Sequence, residues 1–139
     1  MSMNTVPERL AALRAAMTAN GVAVYLIPVG DPHASEYLPA HYTSLTWFSG
    51  FHGENSNLVV TRTGSALWAD GRYFVQAEKE LAGTEIELQR MGEPGVPTVE
   101  EYCADALNEG EVLGLCGLTA STALVNGLKK ALEKKGASI

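Results

Sequence analysis

Leu58-Val59-Val60-Thr61-Arg62-Thr63-Gly64-Ser65-Ala66-Leu67-Trp68-Ala69 is the stretch that decides the fold. Two apolar runs flank the polar, Gly-containing segment Arg62-Thr63-Gly64-Ser65, and that arrangement predicts a β-hairpin. Asp70 follows at once. It is a natural N-cap for a helix expected from Arg72 to Leu81, with Gly71 permitting close approach and Tyr73 and Phe74 packing.

Upstream, Val22-Ala23-Val24-Tyr25-Leu26-Ile27 is continuous, apolar and partly β-branched, which suits a strand covered on both faces. Pro28 and Gly30 are expected to stop it. Before it, Thr5-Val6-Pro7-Glu8 is a capping box, and Leu10, Leu13 and Met17 fall on one face of the helix it opens. Gly21 ends that helix in the left-handed position. Residues 29–57 are the least regular part, rich in His, Gly, Pro and aromatics.

Downstream, Glu85 to Gln89 alternates polar and apolar, as a half-buried strand does. Gly92 to Pro97 is a loop. Thr98-Val99-Glu100-Glu101 is a second capping box, opening a helix to about Leu107. Val112 to Cys116 reads as another buried strand. Thr119 or Ser121 caps a last helix, with Leu124, Leu128 and Leu132 as its core stripe. Lys129, Lys130, Lys134 and Lys135 lie near its C-terminal end, where cations favour the helix dipole. A hairpin followed by alternating helices and strands implies an α/β fold, a mixed β-sheet flanked by helices. Gly136-Ala137-Ser138-Ile139 reads as the entry to one more strand, so the chain is expected to be a fragment of a longer protein.

Composition narrows the function. The 139 residues are 46% hydrophobic and 19% charged, an ordinary globular balance that predicts one domain. Lys plus Arg is 10 and Asp plus Glu is 16, a net charge of −6. Without basic runs, nucleic acid is not the expected partner, because phosphate binding needs clustered Lys and Arg. The longest apolar run, Val22 to Val29, is too short to cross a bilayer. Residues 1–20 lack the apolar core of a signal peptide. Cys103 and Cys116 match no zinc spacing and read as reduced core thiols of a cytoplasmic protein.

Three polar groups could carry chemistry: Asp31, His33, Ser35 and Glu36; Trp47, Ser49, Gly50, Gly53 and Glu54; and Asp70, Gly71, Arg72 and Tyr73. The first follows a buried strand, where α/β folds place ligands. A His between carboxylates can act as acid or base. With no nucleophile or metal set nearby, the reading preferred is that His33 and Glu36 bond the loop backbone and each other. Arg72 can pair with an internal carboxylate such as Asp31 or Glu36, or with one on a substrate or partner subunit. No catalytic residue is assigned. His33, His41 and His52 lack the helical spacing of a metal site, so none is expected. Gly50 and Gly53 are not a phosphate loop, since the P-loop Lys is missing, and they are expected to permit a turn with positive φ.

Read together, four stretches resemble a known family. They are Pro28 with Asp31-Pro32-His33-Ala34-Ser35-Glu36-Tyr37, Phe48-Ser49-Gly50-Phe51-His52-Gly53, Leu67-Trp68-Ala69-Asp70-Gly71-Arg72-Tyr73-Phe74-Val75-Gln76-Ala77, and Met91-Gly92 before Pro97-Thr98. In this order they resemble the N-terminal, creatinase-type domain of Xaa-Pro aminopeptidases (aminopeptidase P), which precedes a pita-bread metallopeptidase domain. The resemblance runs nearly end to end.

It implies a ribonuclease H-like α/β domain without nuclease activity. The parent would remove the N-terminal residue from peptides with proline in second position, using two divalent metal ions, typically manganese. Those ions would be held by Asp, His and Glu in a C-terminal catalytic domain absent from this chain, so no cofactor is expected here. The domain's partners would be its own catalytic domain and a second subunit of a homodimer, and its role to help build the dimer and narrow the active-site entrance. Arg72, with His33, Trp47 and Tyr73, are the candidates for that rim. Asp31, Ser35, Glu36, Ser49, Gly50, Gly53, Asp70 and Gly71 match the family pattern as structural positions. Glu54-Asn55-Ser56-Asn57 departs from the small Ser-Ala-Gly-type turn of the family. Two other readings stand beside this one: a stand-alone ligand- or protein-binding domain, and the same domain from a prolidase- or creatinase-type parent.

Overall fold

Thr5 starts the fold as predicted. Its hydroxyl accepts from the Glu8 N–H at 3.4 Å, and its own N–H donates to Glu8 Oε2 at 3.0 Å. The computed structural model describes residues 5–139; residues 1–4, part of the stretch read for a signal peptide, lie outside the described residues.

The first helix, α1, spans Val6–Ala19, and β1 spans Val24–Pro28. A 3-10 turn at Ala40–Tyr42 leads into α2 (Ser44–Ser49). The hairpin is β2 (Asn57–Thr61) and β3 (Ser65–Ala69), followed by a 3-10 turn at Gly71–Tyr73 and α3 (Phe74–Glu80). Then come β4 (Ile86–Arg90), α4 (Val99–Ala106), β5 (Leu113–Leu115) and α5 (Thr122–Glu133).

The predicted hairpin forms, with Leu58 opposite Leu67 and Val59 opposite Ala66. Sheet order is β4-β3-β2-β1-β5. β1 pairs antiparallel with β2 and parallel with β5, and β3 pairs parallel with β4. Hence β1, β3, β4 and β5 run the same way and β2 opposes them. The expected mixed sheet flanked by helices is what forms.

Successive side chains on a strand face opposite ways, and this splits the core in two. On one face Leu26, Val59, Ala66 and Trp68 pack under α4 and α5 through Cys103, Leu107, Leu128 and Leu132. On the other, Ile27, Leu58, Val60, Leu67 and Ala69 pack under Leu10 and Met17 of α1, Leu45 of α2 and Ala77 of α3. Trp68 is 1% exposed; its indole N–H donates to Pro97 O at 2.9 Å and its ring meets Tyr102 edge-on. Arg14 ties α1 to the hairpin turn, donating to Thr61 O and Gly64 O while pairing with Glu85.

The structure corrects several sequence expectations. β1 begins at Val24, two residues later than expected, and ends at Pro28, which is itself paired opposite Asn57. The helix expected from Arg72 opens as a 3-10 turn and becomes α-helical only at Phe74. The irregular segment contains α2. β5 is an edge strand, half-exposed past Leu113 because one neighbour flanks it. Cys103 is buried as expected, and burial raises its thiol pKa to about 12. Cys116 is exposed and not a core thiol, because it lies just beyond that edge strand. At the far end Ser138 forms one parallel bridge with Val112, the start of the pairing anticipated there.

Candidate functional site

Because four strands share a direction, one end of the sheet gathers their C-terminal ends, and α/β folds place ligands outside such ends. The loop after β1 carries Asp31, the loop before β2 carries Glu54 and Asn55, and the turn after β3 carries Asp70 and Arg72. Members of all three sequence-selected groups therefore reach this end of the molecule.

A broad open cleft of about 970 Å3 lies there. Its walls include Asp31, Ser35 and Glu36 on one side and His52, Gly53 and Glu54 on the other. Thr119 and Ser121, at the start of α5, close a third side. These last two were not singled out as site residues. Their signal is the parallel pairing of β1 with β5, which brings the ends of both strands together.

Asp31 organises its loop. It is 6% exposed, and its Oδ1 accepts from the His33 N–H at 2.9 Å and the Ser35 N–H at 3.0 Å. The bond from Ser35, followed by others, holds its carboxyl below the usual range. The expected bond between His33 and Glu36 is not formed; both side chains face solvent, and it is Asp31 that bonds the loop backbone. Ala34 pays for the tight turn with φ of 53°, a left-handed conformation in a residue with a Cβ.

The opposite wall hangs on Glu80 of α3. Its Oε2 accepts from the His52 N–H at 3.0 Å and meets His52 Nδ1 at 2.8 Å, while Gln76 donates to its Oε1 at 2.5 Å. Burial pushes the Glu80 carboxyl up, but these bonds outweigh it and the net shift is downward. Below, Phe51 is fully buried and meets Tyr73 edge-on. Ser49 is also buried, donating to Leu45 O and accepting from the Phe51 N–H.

The two glycines here have different reasons. Gly50 adopts φ of 77° as the cap of α2, as expected. Gly53 does not need positive φ; a Cβ there would sit 2.2 Å from the Phe51 ring, so close approach is its reason. For Gly71 the expected close approach is absent, with nothing within 4 Å of a Cβ position.

Arg72 pairs internally, but not with Asp31 or Glu36. Its Nε and Nη2 donate to the two oxygens of Asp70, at 3.2 and 2.9 Å, and Asp70 Oδ1 also accepts the Arg72 N–H. The carboxylate that caps the turn thus also holds the guanidinium, and the bond from Arg72 lowers the Asp70 pKa to about 2. Asn55 joins Asp70 at 3.3 Å, linking this pair to the cleft wall. Arg72 lies over the Tyr73 ring. Trp47 is placed elsewhere: it is 41% exposed on α2, beneath the Arg9 guanidinium, whose Nη1 donates to Trp47 O. His33 is exposed on the Asp31 loop.

Among the described residues no group of three or more His, Cys, Asp or Glu is placed to hold a metal ion. No described helix is long and apolar enough to cross a membrane. The described residues do not fit a di-metal centre.

Known proteins are similar to this chain in sequence and fold. Aminopeptidase P2 of Arabidopsis thaliana is 41% identical over 132 residues, covering 94% of this chain and 18% of that protein. A probable Xaa-Pro aminopeptidase P of Pyricularia oryzae is 37% identical over 136 residues, covering 98% of this chain and 22% of that protein. The chain thus spans about a fifth of the length of these relatives. An X-prolyl aminopeptidase from Caenorhabditis elegans, described as a cytosolic enzyme with a di-nuclear active site, superposes with TM-score 0.86 and 33% identity, over 98% of this chain and 24% of that one. The N-terminal domain of the cytoplasmic peptidase PepQ from Mycobacterium tuberculosis superposes with TM-score 0.65 and 26% identity, over 94% of this chain and 90% of that one. The family model of the creatinase/prolidase N-terminal domain matches residues 9–138, nearly the whole of the sheet and helices described above, and the chain belongs to that family.

Proposed function

We propose that this chain is the non-catalytic N-terminal domain of an Xaa-Pro aminopeptidase. The parent removes the N-terminal residue from peptides whose second residue is proline. Its hydrolytic centre uses two divalent metal ions, manganese in our reading, held in a catalytic domain outside these 139 residues. The parent is a cytoplasmic homodimer, and this domain helps to build the dimer and to narrow the entrance through which peptide arrives. Neither nucleic acid nor membrane is its partner.

The observation that carries this reading is the coincidence of fold and sequence with one named activity: 33% identity at TM-score 0.86 to the nematode X-prolyl aminopeptidase. The lack of a metal-holding cluster among the described residues supports a reaction centre located elsewhere. The open cleft supports a role at an entrance. Arg72 and Tyr73, tied to the cleft wall through Asp70 and Asn55, are the rim residues we favour, with His33 and Trp47 as further candidates.

The test uses the longer protein that contains this chain. Supplied with manganese, it releases the N-terminal residue from an Xaa-Pro peptide and leaves the matching Xaa-Ala peptide intact. Equal release from both peptides, or from neither, contradicts the reading.

A further inference from the structure

We propose that the corner where the loops after β1 and β5 meet is the surface that docks onto the catalytic part of the longer protein. This rests on the function proposed above. Tyr37 and Leu118 are 85% and 72% exposed, the highest among the large apolar side chains in the described residues. An exposed Leu or Tyr alone is unremarkable in a soluble protein. These two stand beside adjoining hollows. Tyr37 lines the open cleft, and Leu118 lines a second hollow of about 260 Å3 between β1 and α2, walled by Tyr25, Ile27 and Phe48. Pro28, Gly30 and Thr119 line both.

The smaller hollow is below the ~300–1,000 Å3 typical of small-molecule sites. Its scale and apolar walls suit an inserted protein side chain. The larger one contributes Asp31, Glu36 and Glu54, with neither Lys nor Arg in its walls. The occupant therefore presents an apolar projection beside basic groups.

Two observations identify that occupant as the rest of the same polypeptide. The curated relatives extend far beyond the matched region, which is 18% of one and 22% of another. The backbone at Ser138 pairs in parallel with Val112, and Leu113 N–H donates to Ser138 O at 2.8 Å. It is thus directed along the free edge of β5, toward the Cys116–Leu118 corner.

The test is amide hydrogen exchange on the longer protein beside the 139-residue chain. Amides at 36–38 and 117–119 exchange about tenfold or more slowly in the longer protein, while those at the hairpin turn, 62–64, exchange equally in both. Leu118→Lys in the longer protein abolishes the slowing, and the same change leaves the melting temperature of the isolated chain unaltered. Should that variant fail to fold, Tyr37→Lys serves instead. Equal exchange at the corner in both proteins overturns the proposal. So does slowing that appears in the isolated chain as its concentration rises, which assigns the corner to a second copy. The readout needs no turnover: protection at the corner in a longer protein without proline-directed activity upholds the docking surface and sinks the proposed function.

Discussion

Residues 57–69 and residues 29–56 adjoin in sequence and solve the same problem in opposite ways. The hairpin satisfies its backbone through the sheet ladder, with β2 and β3 paired to each other and to β1 and β4. Its interior side chains are buried on both faces. The loop segment has no such ladder. Outside α2 and the turn before it, side chains bond much of its backbone: Asp31 for His33 and Ser35, Ser49 for Phe51, Glu80 for His52. Regular pairing makes a rigid frame, and individually bonded loops make a wall that can vary without unfolding the frame. Site residues belong on the second kind of backbone.

Substitutions in the two regions sharpen this contrast. Trp68→Ala removes a buried ring and the bond to Pro97, and is expected to cost about 3–5 kcal/mol in urea unfolding. A loss below about 1 kcal/mol would break the claim that the hairpin is the frame. Gly53→Ala forces a methyl group into the Phe51 ring and is expected to cost about 1–3 kcal/mol, because the ring must move. A neutral result would show that the wall is looser than its packing indicates. Thr98→Ala, far from both regions, removes the α4 cap, which accepts from the Glu101 N–H at 3.1 Å. Its expected cost is about 1 kcal/mol, a calibration for the other two.

Smaller and more local effects follow at the loop carboxylates. Asp31→Ala speeds hydrogen exchange at the His33 and Ser35 amides and leaves the β1–β3 amides unchanged. Acceleration throughout the sheet would make Asp31 part of the frame. Asp70 has its pKa lowered from 3.8 to about 2, so its stabilising contribution is complete above the ordinary value and is lost as pH falls through about 2. The stability difference between wild type and Asp70→Asn therefore shrinks between pH 4 and 2, read by thermal melts. A difference that grows on acidification contradicts the Asp70–Arg72 pairing.

The frame was legible in the sequence because its signals are local. Thr5 and Thr98 announce their helices three residues ahead of a Glu, and both capping boxes form. Leu124, Leu128 and Leu132 sit on one turn-spaced stripe, and it faces the core. Of the two caps considered for α5, Ser121 is the one that accepts, from the Leu124 N–H. By contrast α2 is six residues long and its cap residue Thr43 makes no capping bond to it, its hydroxyl donating back to Ala40 O instead, so α2 left no start signal.

The site was legible only as a set of residues, not as an arrangement. The three polar groups could be picked by composition, but their common end follows from strand directions that no short segment records. Thr119 and Ser121 were read as helix caps and not as cleft residues for the same reason. Arg72 was matched to carboxylates far along the chain because Asp70 had already been given the capping role. One carboxylate with two oxygens serves both. Cys116 was placed in the core because its apolar neighbours resemble those of a central strand, and an edge position is set by the sheet order alone.

The most direct test of the account asks whether this polypeptide carries a reaction centre of its own. The purified 139-residue chain is incubated with manganese and an Xaa-Pro peptide, and free N-terminal amino acid is measured. A folded domain that frames an entrance releases none, at any metal concentration. Metal-dependent release by this chain alone would contradict the account at its root.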